Sequence, residues 1–394
     1  MLKIKTHNQI ALAGLERLPR DRYEIGTEIA EPDALLLRSY QLPAAELKPS
    51  IRAIARAGAG VNNVPVAEAT ARGVVVFNTP GANANSVKEL VLASLLFAAR
   101  DLFGGMRYVE SLAGEADEAA LNGQVEAQKK QFRGSEIKGK TLGVLGLGAI
   151  GSKVARAALD LGMEVIGFDP AISVDAAWRL PSEVQRVENM QSLFGRSDYV
   201  TLHVPLLDAT RGMINATTLA SFKPGAVLLN FARQPIVDSD ALGVALDAGQ
   251  LSMYVADFPV PGLTGHDRVR LLPHLGASTV EAEENCAIMA ADFLRAFLED
   301  GNILHSVNFP RVKLDRSENY RLALTNHNVP KTLGNITSVL ADRNINVVDM
   351  LNQSRDEIAY NLIDISAAPD EDLIKALVDV DSVMNVRVFD RPTT

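Results

Sequence analysis

Residues 141–169 read TLGVLGLGAIGSKVARAALDLGMEVIGFD, an apolar run broken by glycines and then resumed. Leu142 to Leu145 predicts a short buried strand, and Gly146, Gly148 and Gly151 follow it as a G-x-G-x-x-G. Val154, Ala155, Ala158 and Leu159 then keep helical spacing. In such a unit the first glycine permits a tight turn, the second lets backbone approach a pyrophosphate, and the third lets helix pack closely on strand. Amides at the helix N-terminus face the anion. A second apolar run, Glu164 to Phe168, ends at Asp169, 18 residues beyond Gly151. A carboxylate there accepts ribose hydroxyls and repels a 2′-phosphate, so NAD is expected rather than NADP. A lone G-x-G-x-x-G is often a plain glycine turn; the flanking strand and helix and the distal acid single this one out.

At 394 residues the chain predicts two or three domains. A formal charge of -9 argues against nucleic acid as a partner, which would need a basic face. The single cysteine, Cys286, leaves no disulfide framework and no multi-cysteine metal site, so no metal is expected and a reducing compartment fits. The longest apolar helical segment, Leu90 to Ala99, is too short to span a bilayer, and no charged start leads into an apolar segment. The expectation is a soluble cytoplasmic protein without a membrane partner.

Upstream of the glycine turn, short strands alternate with helical stretches. Ala34 to Leu37 ends at Arg38 and Ser39, Ile51 to Ala57 runs into Gly58, Ala59 and Gly60, and Val74 to Phe77 runs into Asn78 and Thr79. This alternation implies a parallel sheet, and ligands gather at the carboxyl ends of such strands. Ordinary turn chemistry accounts for each tip taken alone. From Ser86 the text SVKELVLASLLFAARDLFGGM reads as one helix, apolar nearly all round, buried in the fold or at a subunit contact. Gly114 to Lys130 reads as an exposed helix or loop.

Downstream, strands ending near Val204, Asn230 and Ala256 lead to Pro205, to Phe231, Ala232 and Arg233, and to Asp257; LLPHLGAS then carries His274 and Gly276. A guanidinium at a strand end can hold a carboxylate and a carbonyl oxygen together. An imidazole titrating near neutrality can exchange a proton with an alcohol, although any one of the six histidines is more often structural than catalytic. Asn302 to Ser317 reads as a linker. From Tyr320 to Phe389 the pattern is β-α-β-β-α-β, a ferredoxin-like order that serves equally as a dimerising module or a ligand-binding one.

The segments AIARAGAGVNNV, FNTPGANANSVKEL, GKTLGVLGLGAIG, SDYVTLHVPLLDATRGMI, LLNFARQPIVD and LPHLGAST, in that order, resemble the successive signatures of the D-specific 2-hydroxyacid dehydrogenases, and among them the members acting on 3-phosphoglycerate. The resemblance implies an α/β chain with two Rossmann-like doubly wound parallel-sheet lobes and a C-terminal ferredoxin-like βαββαβ ACT domain. It divides the chain into a discontinuous substrate-binding domain (1–85 and 279–302), an NAD-binding domain (86–278), a linker (303–318) and a regulatory domain (319–394). It implies Arg233 as the catalytic arginine and His274 as general acid and base. Gly146, Gly148, Ala149, Ile150, Gly151, Asp169, Pro205, Thr210, Phe231, Ala232, Asp257 and Gly276 would line the cofactor with those two. Arg38, Ser39, Ala59, Gly60, Asn83 and Arg233 would hold 3-phosphoglycerate, with Arg38 or Arg56 on its phosphate.

Asn326, Asn328 and Asn346 would bind serine as effector across the interface of a homodimer or homotetramer. Amide side chains offer both donor and acceptor, as a zwitterion requires.

The sequence departs from the family pattern in three places. Members carry a glutamate five residues beyond the position of Asp257 that orients the histidine; here the text is Asp257, Phe258, Pro259, Val260, Pro261, Gly262, with Asp267 as the nearby candidate substitute. Gln234 and Pro235 follow Arg233 where members carry glycine, and Lys331 stands where glycine follows the proline of the ACT motif. Two alternatives stay open: a dehydrogenase for another 2-hydroxy or 2-oxo acid such as 2-oxoglutarate, and an NAD-sensing regulatory protein that keeps the fold without the chemistry.

Overall fold

Short runs rich in Leu, Ile and Val form strands, and the helices between them force those strands to run parallel. The computed structural model describes residues 1–392. Residues 1–83 and the described residues from Glu283 onward form one unit, and Ala84–Ala282 form the other.

The first unit holds strands β1 (Leu2–His7), β2 (Tyr23–Gly26), β3 (Ala34–Leu37), β4 (Ala53–Arg56) and β5 (Val75–Phe77). They form a parallel sheet in the order β2-β1-β3-β4-β5. All four residues of β3 are buried, as in a strand covered on both faces. Ala287, Ala290, Leu294 and Phe297 of the long helix Val280–Asp300 pack against Ile4, Leu36, Ala55 and Phe77.

The stretch 303–318, expected as a linker, is instead tied down along its length. Asn308 accepts from the Val76 amide at 2.8 Å and donates to the Val74 carbonyl at 2.9 Å, and the Val307 amide reaches the Val76 carbonyl. Ile303 and Val312 pair with each other and are fully buried. The polar composition that suggested a linker supplies the side chains that satisfy the open edge of β5.

The second unit contains β6 (Thr141–Leu145), β7 (Glu164–Phe168), β8 (Gln185–Arg186), β9 (Tyr199–Leu202), β10 (Ala226–Asn230), β11 (Leu251–Ala256) and β12 (Val269–Leu271), all parallel, in the order β12-β11-β10-β9-β6-β7-β8. The chain grows outward from β6 on one side and from β9 on the other, so the order reverses between these neighbours. Ligands bind doubly wound sheets at such a switch point.

The helix expected to run unbroken from Ser86 is two helices, Ala84–Ala99 and Leu102–Ser111. Asp101 separates them, its carboxylate accepting from the Gly104 amide at 3.0 Å as an N-cap. The first half buries Val91 and Leu95 completely, whereas the second leaves Phe103, Met106 and Val109 exposed. The polar stretch after Gly114 forms the exposed helix Glu118–Gln128.

Beyond the linker lie β13 (Tyr320–His327), β14 (Val347–Arg355), β15 (Ile358–Ile365) and β16 (Val383–Phe389), antiparallel in the order β14-β15-β13-β16. This is the ferredoxin-like arrangement, with helices Thr332–Ala341 and Glu371–Val378 closing a core of Leu324, Ile336, Leu340, Ile363 and Leu373. The opposite face packs Tyr360, Leu362 and Phe389 with Phe297 and Phe309 of the same unit.

Two arginines complete that seam. Arg387 lies 4.5 and 4.7 Å from the ring centres of Phe297 and Phe389 and donates to the carbonyls of Phe297 and Leu298, near the end of the long helix. Burial lowers its pKa to about 10. Arg321, fully buried, makes paired bonds of 2.6 and 3.0 Å to Asp364 and donates to the carbonyls of Asp300, Leu314 and Asp315. Among the described residues no helix is long and apolar enough to cross a membrane, and no cluster of His, Cys, Asp and Glu could hold a metal ion.

Candidate active site

Because every strand of the second unit runs the same way, the turns after β6, β7, β9, β10, β11 and β12 share one edge of its sheet. Gly146, Asp169, Pro205, Arg233, Asp257 and His274 all follow strands at that edge.

The three glycines of the turn differ in what requires them. Gly146 has φ +92°, and a Cβ there would come 2.8 Å from the His203 backbone. A Cβ on Gly151 would come 1.9 Å from the Gly146 carbonyl oxygen, so the helix start sits directly on the turn. Gly148 has neither a positive φ nor any neighbour within 4 Å of an added Cβ. Nothing inside the protein requires glycine at that position, whereas close approach of a pyrophosphate to the backbone does. The residues therefore fit a dinucleotide. Ala149 lies exposed beside Gly148, with Ile150 half-buried next to it. Asp169 accepts from the Leu147 amide at 2.8 Å and the Ala171 amide at 2.9 Å, tying the glycine turn to the end of β7. Each of its oxygens has a second lone pair for a ribose hydroxyl. After β9, Thr210 donates to the Pro205 carbonyl at 2.6 Å and closes that wall of the edge.

Arg233 is exposed, and its guanidinium also donates to the Ala232 carbonyl at 2.7 Å. Phe231 and Ala232 point into the core, which leaves their backbone as the part able to meet a cofactor. The loop takes its shape from Asn230, a fully buried side chain whose role the sequence reading missed. Asn230 accepts from the Ala232 amide at 3.1 Å and donates to the Arg233 carbonyl at 3.1 Å and to the Tyr254 hydroxyl at 3.2 Å. The available signal was a polar residue closing an otherwise apolar strand.

His274 is exposed and has φ +59°, a left-handed backbone costing about 1–2 kcal/mol for a residue with a Cβ. The next two amides, those of Leu275 and Gly276, each donate to Asp257 at 2.7 Å. Two charge-assisted bonds of roughly 1.5–3 kcal/mol each outweigh that strain. Burial raises the Asp257 pKa, opposed by the Gly276 and Leu275 amides and then by the charge of His274. On the other side, Ser86 donates to the Gly276 carbonyl at 2.6 Å.

The position of the family's glutamate is Gly262, with φ +81°. Asp267, the candidate substitute, precedes β12 while His274 follows it. Asp267 sits in the turn that leads into β12 and His274 in the bend that leaves it, so the two stand at opposite ends of that strand.

In the first unit, Arg38, Ser39, Ala59, Gly60 and Asn83 all follow the carboxyl ends of β3, β4 and β5. Arg38 pairs with Glu283 at 2.6 Å, and Arg56 donates to the carbonyls of Arg38 and Gly60. The Ser39 amide donates to Asn8, and the Ala59 carbonyl accepts from Asn78. Asn83 carries a buried side-chain oxygen with no hydrogen-bond partner.

In the C-terminal module, Asn326 is buried and bonded to Asn361 and the His327 carbonyl, and Asn328 donates to the Asp356 carbonyl. Asn346 precedes β14, whereas Asn326 and Asn328 lie at the end of β13, and strand pairing places these at opposite ends of the sheet. One chain therefore does not bring the three asparagines together. Lys331 adopts φ +76°, the conformation for which glycine is the usual residue.

Residues 106–276 match the family described as D-isomer specific 2-hydroxyacid dehydrogenase, NAD binding domain. Over 358 residues, 87% of this chain and 82% of the relative, the sequence is 34% identical to D-3-phosphoglycerate dehydrogenase of Haemophilus influenzae. The chain belongs to the D-isomer specific 2-hydroxyacid dehydrogenases. Its second unit is accordingly an NAD-binding domain. The dehydrogenase is also 33% identical to D-3-phosphoglycerate dehydrogenase of Methanocaldococcus jannaschii, matching 83% of this chain but only 61% of that relative. In fold it resembles the NAD+-bound 3-phosphoglycerate dehydrogenase of Entamoeba histolytica, with a TM-score of 0.62 and 24% identity over 78% of this chain and 98% of that one.

Proposed function

We propose that the dehydrogenase oxidises 3-phospho-D-glycerate to 3-phosphohydroxypyruvate, the opening step of phosphorylated serine biosynthesis, in the cytoplasm. The observation that carries this reading is the placement of Arg233 and His274 after β10 and β12, on the edge that also bears the glycine turn. The names of the curated relatives supply the substrate. Arg233 holds the substrate carboxylate and the developing carbonyl oxygen in its fork. His274 takes the hydroxyl proton as C2 gives up its hydrogen as hydride. NAD, when bound, accepts that hydride at the nicotinamide ring. Arg38, Ser39, the Ala59–Gly60 backbone and Asn83 complete the proposed set of substrate ligands.

The test is NADH formation with a panel of 2-hydroxy acids, and NADH consumption with 2-oxo acids including 2-oxoglutarate. Turnover strongest with 3-phosphoglycerate and abolished in Arg233→Ala and His274→Ala, with NADH still bound, supports the reading. Unchanged turnover in both variants removes it.

Serine as effector belongs to the same proposal, with Asn326 and Asn328 from one copy and Asn346 from another, in a homodimer or homotetramer. The separation of Asn346 from the other two within one chain is what calls for a second copy. Calorimetric titration with serine, together with light scattering for mass, checks both parts; no heat or a monomeric mass removes them.

A further inference from the structure

We propose that Asp257 is the positioning residue of His274, doing through the backbone what the family's glutamate does through the imidazole. The inference rests on the reading of His274 as the acid and base of the reaction.

Five observations converge on it. Asp267 lies at the far end of β12, and the glutamate's place is taken by Gly262. Asp257, by contrast, is 5% exposed, directly follows β11, and spends both oxygens on the two amides that come after His274. The grip requires glycine at 276, because a Cβ there would come 2.8 Å from the Asp257 carboxylate. Ser86 holds the Gly276 carbonyl from the other side, so the chain just beyond His274 is fixed on two faces. His274 itself is exposed and left-handed, so the direction of its ring is inherited from this clamp and not from packing around the side chain. A carboxylate is the group that suits, since two converging N–H donors require two acceptors with no hydrogen of their own. An amide at 257 would present one acceptor and one donor, and the donor would face an N–H.

The variants that test this are Asp257→Asn, which keeps the shape and removes one acceptor, and Gly276→Ala, which keeps the carboxylate and obstructs it. Each is assayed for NADH binding by fluorescence, for kcat and KM with 3-phosphoglycerate, and for the primary isotope effect with substrate deuterated at C2. The expected result is a kcat lower by about 10²-fold, the scale of a misplacement near 1 Å, in enzyme that still binds NADH. The isotope effect should rise as transfer becomes rate-limiting, which a general loss of folded protein would not produce.

Wild-type kcat and isotope effect in either variant overturn the assignment. So does loss of NADH binding in both, which would make the clamp a cofactor device. Failure of the underlying reading has a separate signature, an active His274→Ala.

Discussion

The amide of Asp257 donates to the carbonyl of Asn230 at 3.2 Å, so the two buried side chains that shape the His274 and Arg233 loops stand next to each other on adjacent strands. Each ends a strand, and each spends its polar atoms on the loop that leaves the sheet there. The two proposed reacting groups are exposed, and what orders them lies one layer below.

Asn230→Ala should therefore lower stability and turnover together. It strips partners from the Ala232 amide and the Arg233 carbonyl and from the Tyr254 hydroxyl, at about 1–3 kcal/mol for each group left buried and unpaired. Thermal unfolding and steady-state kinetics on the same preparation check this; a lower melting temperature with unchanged kcat would show that the loop does not need its shape.

Arg233→Lys keeps the charge and loses the planar fork. A drop in kcat/KM of about 10²-fold is expected, with NADH affinity intact. Recovery of full activity would mean that a point charge suffices and that no bidentate contact is made.

Asp169→Ser removes the acceptors for the Leu147 and Ala171 amides and the group expected to select against a 2′-phosphate. NADH binding should weaken by about tenfold, equivalent to about 1.4 kcal/mol, while NADPH binding does not. Fluorescence titration with both nucleotides reads the ratio directly.

His203 adds a dependence on acid. Its ring is half-buried, held on one side by Thr201 at 2.9 Å with Nδ1 buried and unpartnered, and burial lowers its pKa from 6.5 to about 3. The folded value lies below the unfolded one, so this contribution to stability is intact above about pH 6.5 and drains as the pH falls toward 3, by up to about 1.4 kcal/mol per unit. Burial likewise lowers the pKa of His7 and of His305, which act in the same direction. Urea unfolding between pH 7 and pH 4 should show the slope, and His203→Leu should flatten it.

Arg321→Met should cost about 3–5 kcal/mol, because it leaves Asp364 buried without its partner. Replacing both residues with apolar ones should recover much of that loss. Denaturant midpoints of the single and double variants decide it.

What the sequence made legible was local. The glycine turn, Asp169 and the βαββαβ order rest on spacing and strand period, and their signals lie within tens of residues. The break at Asp101 was concealed because the apolar run continues past it, and one carboxylate capping a new helix outweighs that continuity. The docking of Asn308 on Val76 joins positions 232 apart, and the bonds from Asp257 to Leu275 and Gly276 span 18 and 19. Nothing in a strand-end aspartate indicates whether it faces a ligand or a later turn of its own chain. The absent glutamate was visible as a gap in the text, while the clamp beneath His274 could only be found in three dimensions.

The seam around Arg387 and Arg321 has a consequence for dissection of the molecule. Cutting the chain near Gly301 would strip the ring of Phe297 of its Arg387 and Phe389 cover and open the end of the long helix to water. A catalytic fragment made that way should aggregate, and the C-terminal piece should fare no better with its Tyr360 and Phe389 face bare. For this chain, deleting the last module is surgery on a hydrophobic core, and an inactive truncation would be no evidence that the module regulates anything.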